Sequence, residues 1–296
     1  MMQEKQAYVY ALSAIFLWST VATAFKLSLI YLTPVQLLLI ATGTSVLILG
    51  IILWKQGKLK LFRKLRAQDW QRMLILGVLN PFLYYLILFK AYDLLPAQEA
   101  QPLNYTWALV LTYLSALILR QRISWQDIVA GFICYGGVLV ISTRGAVWSM
   151  EFSNPLGVFL ALTSTFLWAF FWIYNTKWAV EPLVGLWINF CCGFVLTLIW
   201  AGYSGAFVLM PWKGVVSALY VGVFEMGLTF FLWLQAMRLT KQTAKIANLI
   251  FLSPFLSLLF IALFLGETIL PSTIIGLILI VGGLLLQQTK AKRKDA

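Results

Sequence analysis

The sequence contains no histidine, and only ten of its 296 residues are acidic. Without imidazole the chain lacks the commonest general base, metal ligand and physiological pH switch. Triad chemistry and a resident metal are therefore not expected, and neither a catalytic residue nor a cofactor is assigned. The three cysteines, Cys134, Cys191 and Cys192, all lie inside apolar runs, with no spacing suited to a metal site or a disulfide framework. The chain has no phosphate-binding loop of the Gly, four residues, Gly-Lys-Ser/Thr type, so direct use of ATP through such a loop is excluded. Charge of either sign is scarce as well. Charged residues make up 11% of the chain, against about 25% in ordinary soluble domains.

What is present is apolar: 61% of the residues. Lipid is the solvent such a surface needs. A hydrocarbon core about 30 Å thick takes roughly 20 apolar residues per helix. Runs of that kind fall at 7–30, 34–54, 72–94, 98–119, 125–142, 155–178, 182–204, 212–237, 243–265 and 271–288. The expected fold is an all-α membrane protein with ten transmembrane helices. Pro34, Pro155, Pro182 and Pro271 each open a run, where a missing backbone N–H costs a helix least. Lys5 ahead of an apolar stretch, with Ala22-Thr23-Ala24 behind it, has the outline of a secretion signal. Because the same pattern recurs all along the chain, a retained first helix is the simpler expectation.

The net charge of +12 does not form the solvated stripe that nucleic acid needs, and no nucleic-acid partner is expected. The basic residues sit instead in the short connections. With the N-terminus in the cytoplasm, all but Lys26, Lys90, Arg144 and Lys213 of the 22 basic residues fall on the cytoplasmic side, and both termini belong there. The run Lys58–Arg66 is read as part of that topogenic signal. Trp54, Trp125, Trp178 and Trp212 stand near run ends, as interfacial anchors do.

The chain also repeats itself. ALSAIFLW at Ala11–Trp18 matches ALTSTFLW at Ala161–Trp168, and from the third run onward the offset settles at 145, pairing Gly77 with Gly222, Ala91 with Ala236 and Gly137 with Gly282. Residues 1–146 and 147–296 are then two copies of a five-helix unit. An odd number of spans per copy makes the second enter the membrane from the opposite side, the inverted construction that secondary transporters use.

One acidic residue falls in the middle of a run. Glu225 lies near the centre of the eighth, where an ionised carboxylate costs at least ~2.5 kcal/mol and needs a partner, water or a proton. Two roles stay open for it, solute or proton ligand and interhelical hydrogen-bonding glue. Gly222, Glu225 and Thr229 share a face at helical spacing, and Gly77, Asn80 and Tyr84 repeat that face 145 residues earlier. On the fourth run Gln101, Asn104 and Ala108 share a face with Trp107 beside them, and Asn248 stands close to the equivalent place in the ninth. Trp18 and Trp168 occupy matching positions, and Ser164, Trp168, Trp172 and Asn175 share a face. Trp18, Asn80, Tyr84, Asn104, Trp107, Trp168, Glu225 and Asn248 are the candidate solute-binding residues. Aromatic faces contribute about 0.5–2 kcal/mol per contact to a ring or a cation. Gly136-Gly137 and Gly282-Gly283 mark close helix approach, within the chain or across a dimer.

Pro254 followed by Gly266-Glu267, Gly276 and Gly282-Gly283 resembles the end of a repeat in the drug/metabolite transporter superfamily, in its EamA-type ten-helix branch. The first copy departs from that pattern, with Leu109 for Pro254 and Gln121-Arg122 for Gly266-Glu267. Within the branch, Leu17–Thr20 (LWST), Asn104–Trp107 (NYTW) and Asn175-Thr176-Lys177 resemble bacterial aromatic amino acid exporters. The resemblance implies a multi-pass protein of the bacterial inner membrane, with a central cavity between the halves and no cofactor. Its partners would be a small solute and membrane lipid, as monomer or dimer. An enzyme would need clustered acids or histidines, and a channel a ring or filter loop; neither is present. Amino acids, cationic drugs, nucleosides and sulfonium metabolites all remain open as solutes.

Overall fold

Helix starts follow the sequence closely in the computed structural model, which describes residues 2–118, 125–149, 151–178, 180–240 and 249–294. Asn248 lies outside the described residues. Helix α1 runs Met2–Leu29 and α2 Pro34–Lys55. Thr33 caps α2 in a reciprocal box with Gln36, while Pro34 fills the first turn. A short 3-10 segment, Lys58–Lys64, leads into α3 (Ala67–Gly77) and, through a π-turn at Val78–Leu83, into α4 (Tyr84–Leu94). Then come α5 (Ala97–Tyr105), α6 (Trp107–Ile118) and α7 (Trp125–Ser142). The second half holds α8 (Pro155–Lys177), α9 (Pro182–Tyr203), and α10 (Trp212–Tyr220) joined by a π-turn at Val221–Glu225 to α11 (Leu228–Leu239). It closes with α12 (Ser253–Phe260) and α13 (Pro271–Lys294). Asn154 and Glu181 cap α8 and α9, each ahead of a proline. The described residues contain no β-strand.

Seven described segments are long and apolar enough to cross a bilayer, and Leu249–Leu265 and Pro271–Leu286 form shorter apolar helices. The fourth run is divided between α5 and α6 at Thr106. The chain is thus an all-helical, multi-pass membrane protein.

Contacts between helices survive exchange of the two halves. Helix α1 packs on α11 and α12, as α8 packs on α4 and α6; α2 meets α9 and α7 meets α13. Atomic contacts repeat the exchange. A Cβ on Gly77 would stand 2.6 Å from the Cys192 side chain and 2.7 Å from the Asn189 carbonyl, and one on Gly222 would stand 2.5 Å from Thr44 and 2.6 Å from the Ala41 carbonyl. Ala41 and Thr44 are the counterparts of Asn189 and Cys192 in the other half. Close approach of this kind is what holds helices together in lipid, where burial of apolar surface offers no net gain.

At the α7–α13 seam the register differs from the sequence expectation. Gly137 meets Gly276 while Gly283 meets Ala130, so Gly137 is the counterpart of Gly283 rather than of Gly282. Gly136 and Gly282 face open space. Trp54, Trp125 and Trp212 are exposed as anchors should be, whereas the Trp178 ring lies under the Arg72 guanidinium at 5.7 Å.

The seam yields a paired prediction. Gly137→Ala, whose Cβ would lie 2.5 Å from the Gly276 carbonyl, should destabilise the purified protein by about 1–3 kcal/mol in thermal unfolding. Gly136→Ala, one residue away, should be neutral or mildly stabilising, since alanine is the better helix former.

Candidate functional site

A cavity of about 640 Å³ opens between the halves. Of the sequence-predicted residues, Trp18, Tyr84, Asn104, Trp107, Trp168 and Glu225 line it. The lining also takes in residues outside that predicted set, among them Tyr92, Gln101, Tyr105, Trp172, Lys177 and Trp233. Trp233 has a signal of its own, since α11 is the counterpart of α4, whose residues face the same space. Gln101 shares the face of Asn104, as its spacing predicts.

Glu225 sits at the end of the π-turn that interrupts the eighth run, where the Met226 N–H reaches back five residues to the Val221 carbonyl at 3.3 Å. Insertions of this type recur at functional sites. One carboxylate oxygen, Oε1, accepts from the Tyr85 hydroxyl at 2.9 Å. The other, Oε2, is buried and has no partner. Trp18 lies beside the same carboxylate. Asn104 is held from two sides: its Oδ1 accepts from the Tyr84 hydroxyl at 3.4 Å and its Nδ2 donates to Ser164 at 3.0 Å. Around these polar groups the rings form a wall. Tyr84 and Trp168 lie 4.7 Å apart at 33°, Trp107 meets Trp168 edge-on at 6.4 Å, and Trp18 packs on Trp233 at 5.4 Å.

Two expectations from helical spacing are overturned. Asn80 does not line the cavity; it is fully buried, and neither side-chain polar atom has a partner. Its φ of −146° and ψ of 121° break the helix, ahead of a cis peptide bond to Pro81. Three- and four-residue spacing therefore does not carry across Gly77, Asn80 and Tyr84. Thr229 likewise turns inward, its hydroxyl donating to the Phe224 carbonyl freed by the second π-turn, and Gly222 packs on α2. Only Glu225 of that stripe reaches the cavity.

The two ends of the cavity differ. Exposed Lys177, at the end of α8, lines one, on the same face as the Lys58–Glu181 ion pair at 2.7 Å. Buried Phe25, Tyr92 and Gln101 line the other. That end is tied shut. Lys26 donates to the Tyr92 and Leu95 carbonyls at the close of α4, at 2.8 and 3.0 Å. Gly266, at φ 66°, turns the chain so that Glu267 accepts from the first amides of α5, Ala97 at 3.0 Å and Gln98 at 3.2 Å. Gln98 answers by donating to the Thr268 carbonyl and accepting from Leu270 N–H and Thr273. Glu99, fully buried, pairs with Arg144 at 2.9 Å and accepts from Ser153. In the sequence Glu99 stands merely near a span end; its need for one of the few basic residues outside the basic connections is the signal available there.

A multi-pass helical bundle that encloses an aromatic-walled cavity with a few buried polar groups is an architecture suited to a membrane transporter. The chain belongs to the EamA-like transporter family, whose profile matches it twice, over residues 5–143 and 155–287. Among relatives, it is similar to the uncharacterized transporter YvbV of Bacillus subtilis (strain 168), 25% identical over 286 residues, covering 95% of this chain and 91% of that one. It is also similar to Protein PecM of Dickeya dadantii (strain 3937), 26% identical over 73% of each chain. A solved crystal structure shares the fold, with a TM-score of 0.69 at 21% identity over 99% of both chains.

The tied end gives the second prediction. Glu267→Ala leaves the Ala97 and Gln98 amides without their acceptor and should cost about 1–3 kcal/mol of stability. In a background without the three native cysteines, the same change should make a Phe25→Cys thiol reactive toward an impermeant maleimide from the Lys26 side. A folded variant with that thiol still protected would show that Glu267 does not keep this end shut.

Proposed function

We propose that this protein is a secondary transporter that moves small organic solutes across the bacterial inner membrane, exporting aromatic or other neutral amino acids by alternating access. It acts without enzymatic chemistry. The observation that carries this reading is the cavity itself: aromatic walls suited to a ring, around a buried carboxylate with one oxygen unpartnered, suited to an ammonium group.

In this reading the chain crosses the membrane ten times, as two inverted five-helix repeats at residues 1–146 and 147–296. Support comes from the double family match and from helix contacts that survive exchange of the halves. The basic connections put both termini and the Lys177 mouth in the cytoplasm. The cavity, open at Lys177 and tied at Lys26, then corresponds to an inward-facing state. Rocking of the halves would release the Glu267 and Arg144 contacts and expose the same cavity to the other side. Trp18, Tyr84, Asn104, Trp107, Trp168 and Glu225 are the proposed solute-binding residues. Asn248 retains its place in the proposal through its position in the sequence, while Asn80 serves the helix break. Cationic drugs and sulfonium metabolites are the second reading, favoured by the same carboxylate.

Glu225 is also the proposed proton carrier, alternating between solute and proton. In proteoliposomes, Glu225→Gln should abolish the response of solute flux to an imposed pH gradient. It should also lower flux about tenfold or more, the equivalent of one charge-assisted hydrogen bond of about 1.5–3 kcal/mol. Gradient dependence that persists in the variant rules out Glu225 as the carrier.

A further inference from the structure

The cavity holds two acceptors that the protein leaves unsatisfied. Among the described residues that line it, two buried side-chain atoms have no partner, and both accept: Glu225 Oε2 and Gln101 Oε1. Three donors near them are engaged elsewhere, and the Trp18 indole, which lies beside the Glu225 carboxylate, leaves Oε2 without a hydrogen bond. The Tyr85 hydroxyl is spent on Glu225 Oε1, the Tyr84 hydroxyl on Asn104, and the Asn104 amide on Ser164. Gln101 is held on α5, a helix tied at its N-terminus by Glu267, and is itself 4% exposed. A buried acceptor left empty forfeits the hydrogen bonds it had with water.

We infer that the site selects solutes by their N–H groups, taking a primary or secondary ammonium and discriminating against the same cation with every N–H replaced by methyl. This rests on the transport reading above and narrows it. Charge and an aromatic face alone would not separate the two. A quaternary ammonium or a sulfonium satisfies the Glu225 charge and stacks on Trp168 and Tyr84 as well as an amine does. Neither brings an N–H, so Glu225 Oε2 and Gln101 Oε1 would be covered by methyl groups and remain unpaired. A site built to hydrogen-bond N–H discriminates strongly against the analogue lacking it, because its own polar groups are stranded. Solutes with an α-ammonium and a ring, and arylalkylamines, meet the requirement; betaines, bis-quaternary compounds and sulfonium metabolites do not.

The test uses a matched pair, phenethylamine and N,N,N-trimethylphenethylammonium, which share charge and ring and differ in N–H. Binding to the purified full-length protein is read by tryptophan fluorescence and thermal shift. The amine should bind at least about tenfold more tightly, the worth of one charge-assisted hydrogen bond. Gln101→Leu, of similar size but with no acceptor, should narrow the gap. Glu225→Gln should weaken the amine more than the quaternary ion. Equal affinities in the wild type, or binding of neither compound, would overturn the inference. Counterflow in proteoliposomes separates it from the reading on which it rests. Amine binding with the expected gap but no counterflow of any solute would sink transport and leave the N–H rule standing. Counterflow with equal affinities would do the reverse.

Discussion

Hydrocarbon offers no hydrogen bonds, so every polar group a membrane helix carries must find its partner inside the protein. That constraint organises this structure. Hydroxyl side chains within the helices fold back on their own backbone, as Ser28 does on the Ala24 carbonyl, Thr42 on Leu38 and Thr197 on Gly193. Where a π-turn interrupts the eighth run, the carbonyls it frees are taken up at once: Gly222 by Ser45 of α2 at 2.8 Å, and Phe224 by Thr229. Two carbonyls at the break beside the cavity thus keep a partner inside the protein. Not every group is served: buried side-chain atoms of Thr23, Asn80, Ser142 and Ser257 also lack a partner, but of the unpartnered atoms among the described residues only the oxygens of Glu225 and Gln101 belong to residues that line the cavity.

The two halves share a scaffold and differ in chemistry. Contacts that set helix spacing are duplicated: Gly77 on α9 matches Gly222 on α2, and Gly137 on Gly276 matches Gly283 on Ala130. Residues that line the cavity are duplicated only in part: Trp18 and Trp168 occupy matching positions and both line it, but its carboxylate has no counterpart there. Where the second half has Glu225 the first has Asn80, sealed in a break of its own. Where the second half has Gly266 and Glu267, which reach across to the α5 amides, the first has Gln121 and Arg122. Packing tolerates little change on either side of a symmetric seam, since a single added carbon meets a backbone carbonyl there. A cavity wall is free of that constraint and can specialise one half at a time.

Much of this is legible in the chain alone. Composition, run lengths and the placement of basic residues identify a multi-pass helical membrane protein because hydropathy sums along a window and needs no knowledge of neighbours. The repeat is visible as matching segments. Glu225 is conspicuous because an acid in the middle of an apolar run has few explanations. Gln101, Asn104 and Trp107 fall together because α5 begins as a regular helix, for which periodicity is a sound guide.

The arrangement of helices in space decides the rest. Unbroken 3.6-residue turns would put Asn80 and Thr229 on the cavity face, but each helix is broken at that point. One inserted residue rotates the remainder of a helix by about 100° and carries a polar stripe off its face. The Glu99–Arg144 and Glu267–Ala97 contacts join residues far apart in the chain, and no local pattern announces them. By itself the sequence determined the solvent, the helices and the likeness of the halves, all of which are properties of contiguous segments. Which side chains share one cavity, and which end of it is shut, depended on how those segments pack, because a cavity is space between helices and belongs to none of them.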